Sequence, residues 1–350
     1  MRADLPPLAT VVTQARGRGP AASLAKAEIG IAKAYKVGAG VSSLYNPTLE
    51  IFADRGKYTE GGAQVIANLY LPVELNGQRS KRLDEAEAFL TWKGVEAERG
   101  AATAIGEAVD AYGELLVEGA RLRIAILGEK TAQDEANYVK ARLDAGDSTV
   151  LDFAIARGEV ARWLQTRSEI EVAIELSRSR LAAAIGAPKM DLPGPSQNPD
   201  LPALRFASAD ALVAELRKSS PTVKAPAFEA QYFASSRKRW GAEKYAPFSF
   251  VLIGGRGDLG ETRYGLGVAW TFPLARSNEG EIARAEAESD RALTTASIVE
   301  SAMMARARGY FDAYVRARKA LVEIDASAIP AAEAVVESAT ASFVAGKTDL

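Results

Sequence analysis

The side chains left to do chemistry in this chain are carboxylates, and they are spread along helix faces. Histidine and cysteine are both absent from the 350 residues. That removes imidazole as a general base, thiolate nucleophiles, disulfides and the commonest zinc ligands. With only four methionines there is no soft metal-binding tract either, so no catalytic, cofactor or metal site is expected. Gly255-Arg-Gly257-Asp-Leu-Gly260 matches G-x-G-x-x-G after a plausible strand at Phe248 to Ile253. A dinucleotide fingerprint must open a helix whose N-terminus meets the pyrophosphate, and here an alternating strand follows, so a turn is expected. Arg256-Gly257-Asp258 within it is the tripeptide of integrin ligands and also what a β-turn asks of its residues. Arg142, Asp144, Asp147 and Asp152 cluster around Gly146. Gly146 suits a left-handed helix C-cap, and Thr149 with Asp152 has capping-box spacing, with Asp in place of the usual Glu. This stretch reads as a turn between two helices, and its acids as caps of a solvated tip.

The elements that position these groups come in two kinds. Pro47 to Arg82 and Pro247 to Arg284 each carry two alternating segments, a Gly-rich turn, a Pro and a charged helical start. In the later copy Tyr264, Leu266, Val268, Trp270 and Phe272 fall on one side, and Gly265, Gly267, Ala269 and Thr271 on the other. A large apolar face backed by a small, weakly polar one is the pattern of a wall between lipid and an open lumen. The same alternation also fits half of an ordinary sandwich, with Tyr264, Trp270, Phe272 and Tyr70 as its core aromatics. An isolated hairpin is barely stable in water. Four strands cannot close a barrel, although several chains giving four each can.

The rest is helical. The Ala-rich lead-in from Pro20 to Leu44 stops before Pro47. From Glu74 to Ala145 the helical pattern runs for about 72 residues, roughly 108 Å at 1.5 Å per residue. Tyr112, Leu115, Gly119, Leu122 and Ile126, then Ile170, Ile174, Ser177, Leu181 and Ala184, have the spacing of packed helical seams. A Pro-rich linker at 188–207 follows. The plan then restarts with a lead-in from Asp210 to Tyr245, the second hairpin, and a long helix from about Asn278 to Ala345 whose seam is Tyr314, Ala317, Leu321 and Ile324. Pro47 and Pro247, Pro72 and Pro273, and Gly146 and Gly346 recur about 200 residues apart, an internal duplication. The expected domains are a first repeat at 1–187, the linker, and a second repeat at 208–350. The first copy continues past Gly146 to Pro188 while the second stops at Leu350, so the chain is expected to be truncated at its C-terminus. Its N-terminus shows no signal-peptide h-region, and no apolar run reaches the length of a transmembrane helix. A net charge of −2 argues against nucleic acid as a partner.

In order and spacing these features resemble the TolC-type outer-membrane efflux proteins. The resemblance is carried by the Ala-rich lead-in, Asn46-Pro47-Thr-Leu-Glu50, Leu71-Pro72-Val-Glu-Leu-Asn-Gly77-Gln-Arg79, the Arg142 to Asp152 turn, and the duplication. The Pro72 to Arg79 segment is similar to the heavy-metal efflux branch. The resemblance implies a mainly α fold with a hairpin in each repeat. It also implies a homotrimer, with four strands per subunit in a 12-stranded barrel in the outer membrane and long helices forming a tunnel across the periplasm. The Gly146 and Gly346 turns then lie at the periplasmic end, which meets an adaptor protein joined to an inner-membrane pump. Asp152 falls where a gate carboxylate sits in such proteins, and three copies about one axis make a charged ring of the kind that gates ions. Tyr264, Leu266, Val268, Trp270 and Phe272 become the lipid face. The expected function is a passive exit duct for small molecules or ions, not an enzyme. The alternatives are a duct for type I protein secretion, or a soluble helical scaffold whose hairpins pack on each other.

Overall fold

The computed structural model describes residues 5–55, 62–187, 204–272 and 277–344. The chain begins with α1 (Leu8–Arg18) and α2 (Pro20–Ala39). They meet at Gly19, where a Cβ would lie 2.7 Å from Ala104 Cβ and 2.9 Å from the Ala184 carbonyl, so only glycine fits. Pro20 opens α2 at a position where its missing N–H has no partner to lose. The helix α1 is additional to the expected lead-in, and α2 ends at Ala39, short of Leu44.

Strands β1 (Thr48–Asp54) and β2 (Gln64–Val73) form the first hairpin; β3 (Phe248–Arg256) and β4 (Thr262–Trp270) form the second. All four lie in one antiparallel sheet in the order β1-β2-β3-β4. The hairpins are joined edge to edge through β2 and β3, from Val65 opposite Arg256 to Val73 opposite Phe248. They are not stacked face to face, which excludes the sandwich arrangement. The motif Gly255 to Gly260 is a turn: Gly257 N–H donates to the Glu261 carbonyl, Gly260 N–H to the Gly257 carbonyl, and Gly260 has φ 84°.

Between the hairpins in sequence run α3 (Gln78–Asp144) and α4 (Val150–Ala184). The 67 residues of α3 span about 100 Å. Such a helix is stable only against neighbours, and α4, α2 and α1 supply them. Their core is Val11, Ala15, Ala108, Ala111, Leu115, Ile174, Leu181, Ala182, Ala184 and Ile185. Small alanines let the helix axes approach closely, as Gly128 does beneath the ring of Trp163. The expected seams of α3 and α4 fall at buried or half-buried positions, except that Ile126 is exposed and Ala125 takes its place inside, whereas Leu321 and Ile324 of the third expected seam are exposed.

The second half is more broken than its periodicity predicts. The lead-in is two helices, α5 (Ala209–Ser219) and α6 (Pro221–Ala242), divided at Ser220. The last long helix is α7 (Glu279–Glu323), a π turn at Ile324–Ala328, and α8 (Ile329–Val344). The chain packs as two compact units, residues 1–201 with 224–293, and residues 202–223 with 294–350. In the second, Val213, Val223, Met304 and Ala307 make a small core, and Arg217–Glu300 and Arg308–Asp210 are ion pairs. No described helix is long and apolar enough to cross a membrane.

Candidate functional site

Register fixes which side chains share a face of the sheet. Trp270, Phe248 and Val73 lie in one row, and Val268, Phe250 and Leu71 in the next. A row of four leucines crosses the whole sheet, Leu49, Leu69, Leu252 and Leu266. Tyr264, Gly254, Ala67 and Ile51 continue the same face. These four rows are apolar from edge to edge and open in the single chain, Leu266 being 85% exposed and Tyr264 89%; the next row, at the turn end, adds Ala53 and Val65 with Arg256 and Thr262. Phe272 lies two residues beyond the end of β4, with its ring 4.4 Å from that of Trp270.

The opposite face is mixed: it carries Glu50, Asp54, Gln64, Asn68, Tyr70 and Arg263, the apolar Phe52, Ile66, Val251 and Ile253, and the small Gly265, Gly267 and Ala269 of β4. Tyr70 therefore lies on the face opposite that of Tyr264 and Trp270. It pairs with Thr48 and Val251 in the ladder, and its hydroxyl donates to the Glu50 carboxylate. An aromatic residue type does not reveal its face; only register does.

The Arg142 to Asp152 turn is closed by local hydrogen bonds. Gly146 has φ 85° and donates its N–H to the Leu143 carbonyl, while Asp147 N–H donates to that of Arg142, a Schellman closure of α3. Arg142 Nη2 donates to the Asp147 carbonyl at 3.2 Å. Asp144 is the last residue of α3. Thr149 and Asp152 form a complete capping box: Asp152 N–H donates to Thr149 Oγ1 at 3.1 Å, and Asp152 Oδ2 accepts from Thr149 N–H at 2.9 Å. Oδ2 also accepts from the hydroxyls of Thr149 and Ser148. These Thr149 bonds, then Ser148 and Arg142, hold the carboxyl below the ordinary carboxylate value of 3.8. A group depressed in the folded state stabilises it above its unfolded pKa and loses that effect as pH falls through the folded value. Amide exchange in the first turn of α4 is thus expected to be governed by an intact cap from pH 8 to about 5, and to lose that protection only below about 4. Loss of protection already at pH 6 would contradict this. Gly346, the expected second tip glycine, lies outside the described residues.

A third constellation sits where strands pass into helices, and periodicity does not find it. Glu74 and Arg82 form a buried ion pair, 2.8 Å apart with side chains 3% and 4% exposed. Arg82 Nη2 also donates to the Val41 carbonyl, and Leu44 N–H to Glu74. Nearby, buried Glu85 accepts from the Tyr35 hydroxyl at 2.7 Å and from Arg239 at 3.1 Å, and Arg239 also pairs with Glu243. Burial, then the Glu85 bond, pushes the Tyr35 phenol up. For Arg239 burial opposes the charge, but Glu243 and Glu85 outweigh it and raise its pKa.

Both hairpins enter their long helices alike. Gly77 at φ 69° and Asn278 at φ 60° are left-handed, and the next side chains, Gln78 and Glu279, accept from the backbone N–H of Asn76 and Ser277. Asn76 and Asn278 each donate a side-chain amide to a carbonyl at the end of α6, those of Ala242 and Trp240. The Pro72 to Arg79 motif contains one half of this clamp. Arg239 and Glu85, 154 positions apart, have no local signal.

The sequence model of the family described as outer membrane efflux protein matches residues 16–187. The cobalt-zinc-cadmium resistance protein CzcC of Cupriavidus metallidurans is 25% identical over 293 residues, covering 80% of this chain and 67% of that one. Among solved structures, a membrane protein from Pseudomonas aeruginosa aligns with TM-score 0.76 at 17% identity, over 98% of this chain and 84% of its own. The CmeC outer membrane channel of Campylobacter jejuni aligns with TM-score 0.75 at 16% identity, over 98% and 78%. A sheet apolar on one face, carried on helical hairpins of this length, is therefore the fold of the outer-membrane channels. The chain belongs to the TolC-type outer membrane efflux proteins.

Proposed function

We propose that this chain is one subunit of a homotrimeric duct in the outer membrane, the passive exit of a tripartite efflux system. The observation that carries the reading is the band of apolar rows that crosses all four strands, from Leu49 to Leu266, between two edge strands, β1 and β4. In the order β1-β2-β3-β4 the first strand of one copy is antiparallel to the last strand of the next, so copies close edge to edge. Two copies give a barrel of eight strands, whose interior is filled by side chains or one small ligand. Three give the 12-stranded barrel, the smallest closed set of four-stranded sheets with room for a water-filled lumen. The Glu50 and Asn68 face then lines that lumen and the leucine row meets lipid. Recovery from outer membranes as a heat-sensitive trimer that conducts in planar bilayers tests this; a monodisperse monomer soluble without detergent would refute it.

At the far end the Arg142 to Asp152 turn is the periplasmic tip, which meets an adaptor protein bound to an inner-membrane pump. Three copies of Asp152 form the carboxylate ring of the gate. Asp152→Asn keeps an oxygen for the Thr149 cap but removes the charge, whereas Asp152→Ala removes both. Both variants are expected to raise single-channel conductance severalfold if the charge gates. Conductance equal to that of the parent for Asp152→Asn would assign the residue to capping alone. Likeness to CzcC, named for cobalt, zinc and cadmium resistance, makes divalent metal cations the first cargo to test. In this reading selection rests with the pump, and the duct is passive.

A further inference from the structure

The long helix of the second repeat contains a feature that its counterpart lacks. From Gln78 to Asp144 α3 is unbroken, but the second-repeat helix opens into a π turn at Ile324–Ala328, closed by Ile329 N–H donating to the Ile324 carbonyl. Two causes act together. Pro330, the second residue of α8, has no N–H for the Ala326 carbonyl, and its ring crowds that carbonyl. Ser327 Oγ, in addition, donates to the Glu323 carbonyl at 2.7 Å, a back-bond that bends helices. One repeat length of about 200 residues earlier, Lys130 stands in place of Pro330 and leaves the ladder intact.

The apolar pattern depends on this turn. Tyr314, Ala317, Leu321 and Ile324 follow the three-and-four spacing of one helical face, and Ile329, Ala332 and Val336 follow it again. The step from Ile324 to Ile329 is five residues, which in an unbroken α-helix would set them about 140° apart. A π turn brings residues five apart nearly over one another, since its bonds run from i to i+5. It therefore joins the two runs into a single seam. Without it the seam would continue through Ala328, Ala331 and Val335, one residue earlier, and α8 would present a face turned by about 100°.

We propose that Ile324–Pro330 is a register switch: two hydrogen-bonding states, π and α, rotate the limb that leads toward Gly346 about its own axis, and Pro330 holds it in the π state. Its consequence for aperture at the tip rests on the duct reading, but the register itself does not. In the single chain both runs are exposed, Ile324 at 49% and Val336 at 65%; because the chain has no cysteine, single cysteines placed in turn from Ala331 to Ser342 report which face the assembly covers, by maleimide labelling of the assembled protein. Labelling minima are expected at Ala332 and Val336 in the parent and at Ala331 and Val335 in Pro330→Ala, a shift of one residue. Deleting Ala326 in the Pro330→Ala chain removes the extra residue and should return the minima to the parent pattern. Minima that stay in place in Pro330→Ala, or a deletion that does not restore them, overturn the switch. If Pro330→Ala alone fails to assemble, the deletion decides: recovered assembly with the parent minima supports the switch, and no recovery overturns it. Since labelling needs only the assembled helices, a chain that never conducts would sink the duct reading and leave this result standing.

Discussion

Leu266→Arg is expected to remove the heat-sensitive trimer from outer membranes altogether. Leu266 sits at the centre of β4, in the row that Leu49, Leu69 and Leu252 complete across the sheet. If that row lies near the middle of the bilayer, a guanidinium there costs about 2–4 kcal/mol per chain. Threefold assembly repeats the penalty in each subunit, giving roughly 6–12 kcal/mol, which is comparable with the whole stability of a typical domain, about 5–15 kcal/mol. Asn68→Arg is the matching control. Asn68 lies one residue along the ladder from Leu69 and faces the other way, beside Glu50. An arginine there should meet water and a carboxylate, and trimer yield should stay within about twofold of the parent. Equal yields from both variants would mean that the two faces are not distinguished by solvent, and the membrane reading would fail.

What could be read in the amino-acid order divides by the range of the interaction that decides it. The alternation from Tyr264 to Trp270 is a property of one strand, and the fold keeps it. Likewise the box of Thr149 and Asp152 spans three residues and forms as its spacing predicts. Residue type groups Tyr70 with Tyr264, Trp270 and Phe272, but its face depends on the partner strand, where it lies opposite Thr48 and Val251. The breaks at Ser220 and at the π turn are each set by a proline one or more residues later, Pro221 and Pro330, whose effect on the preceding turn is invisible to a periodicity count. Of the buried charges, Glu85 meets Arg239 only because α3 and α6 converge at the base of the sheet, and no window of sequence contains both.

The second large effect is expected at the strand-to-helix junction. Arg82→Ala should destabilise the protein by about 3–5 kcal/mol, the cost of leaving a buried carboxylate without its partner. Glu74 is 3% exposed and would keep only the Leu44 N–H among its present donors, while the Val41 carbonyl would lose the Nη2 bond as well. Burial is what makes the difference. Next in the chain, Lys81 pairs with Asp84 at 3.0 Å, a similar distance, but with side chains 40% and 55% exposed. Solvent screens that pair, and Lys81→Ala should cost about 0–1 kcal/mol. The ion pair itself need not be the stabilising element, because desolvating two charges offsets most of their attraction. Arg82 Nε adds to that burden, being buried without a hydrogen-bond partner. Replacing both members, Arg82→Met with Glu74→Gln, should therefore recover most of the loss, since no ion is then left alone in the interior. The check is the thermal unfolding midpoint of the detergent-solubilised protein for all three variants. If Arg82→Ala lowers it no more than Lys81→Ala does, the junction is wetter than its geometry indicates, and the Glu74–Arg82 pair is not what holds the sheet to its helices.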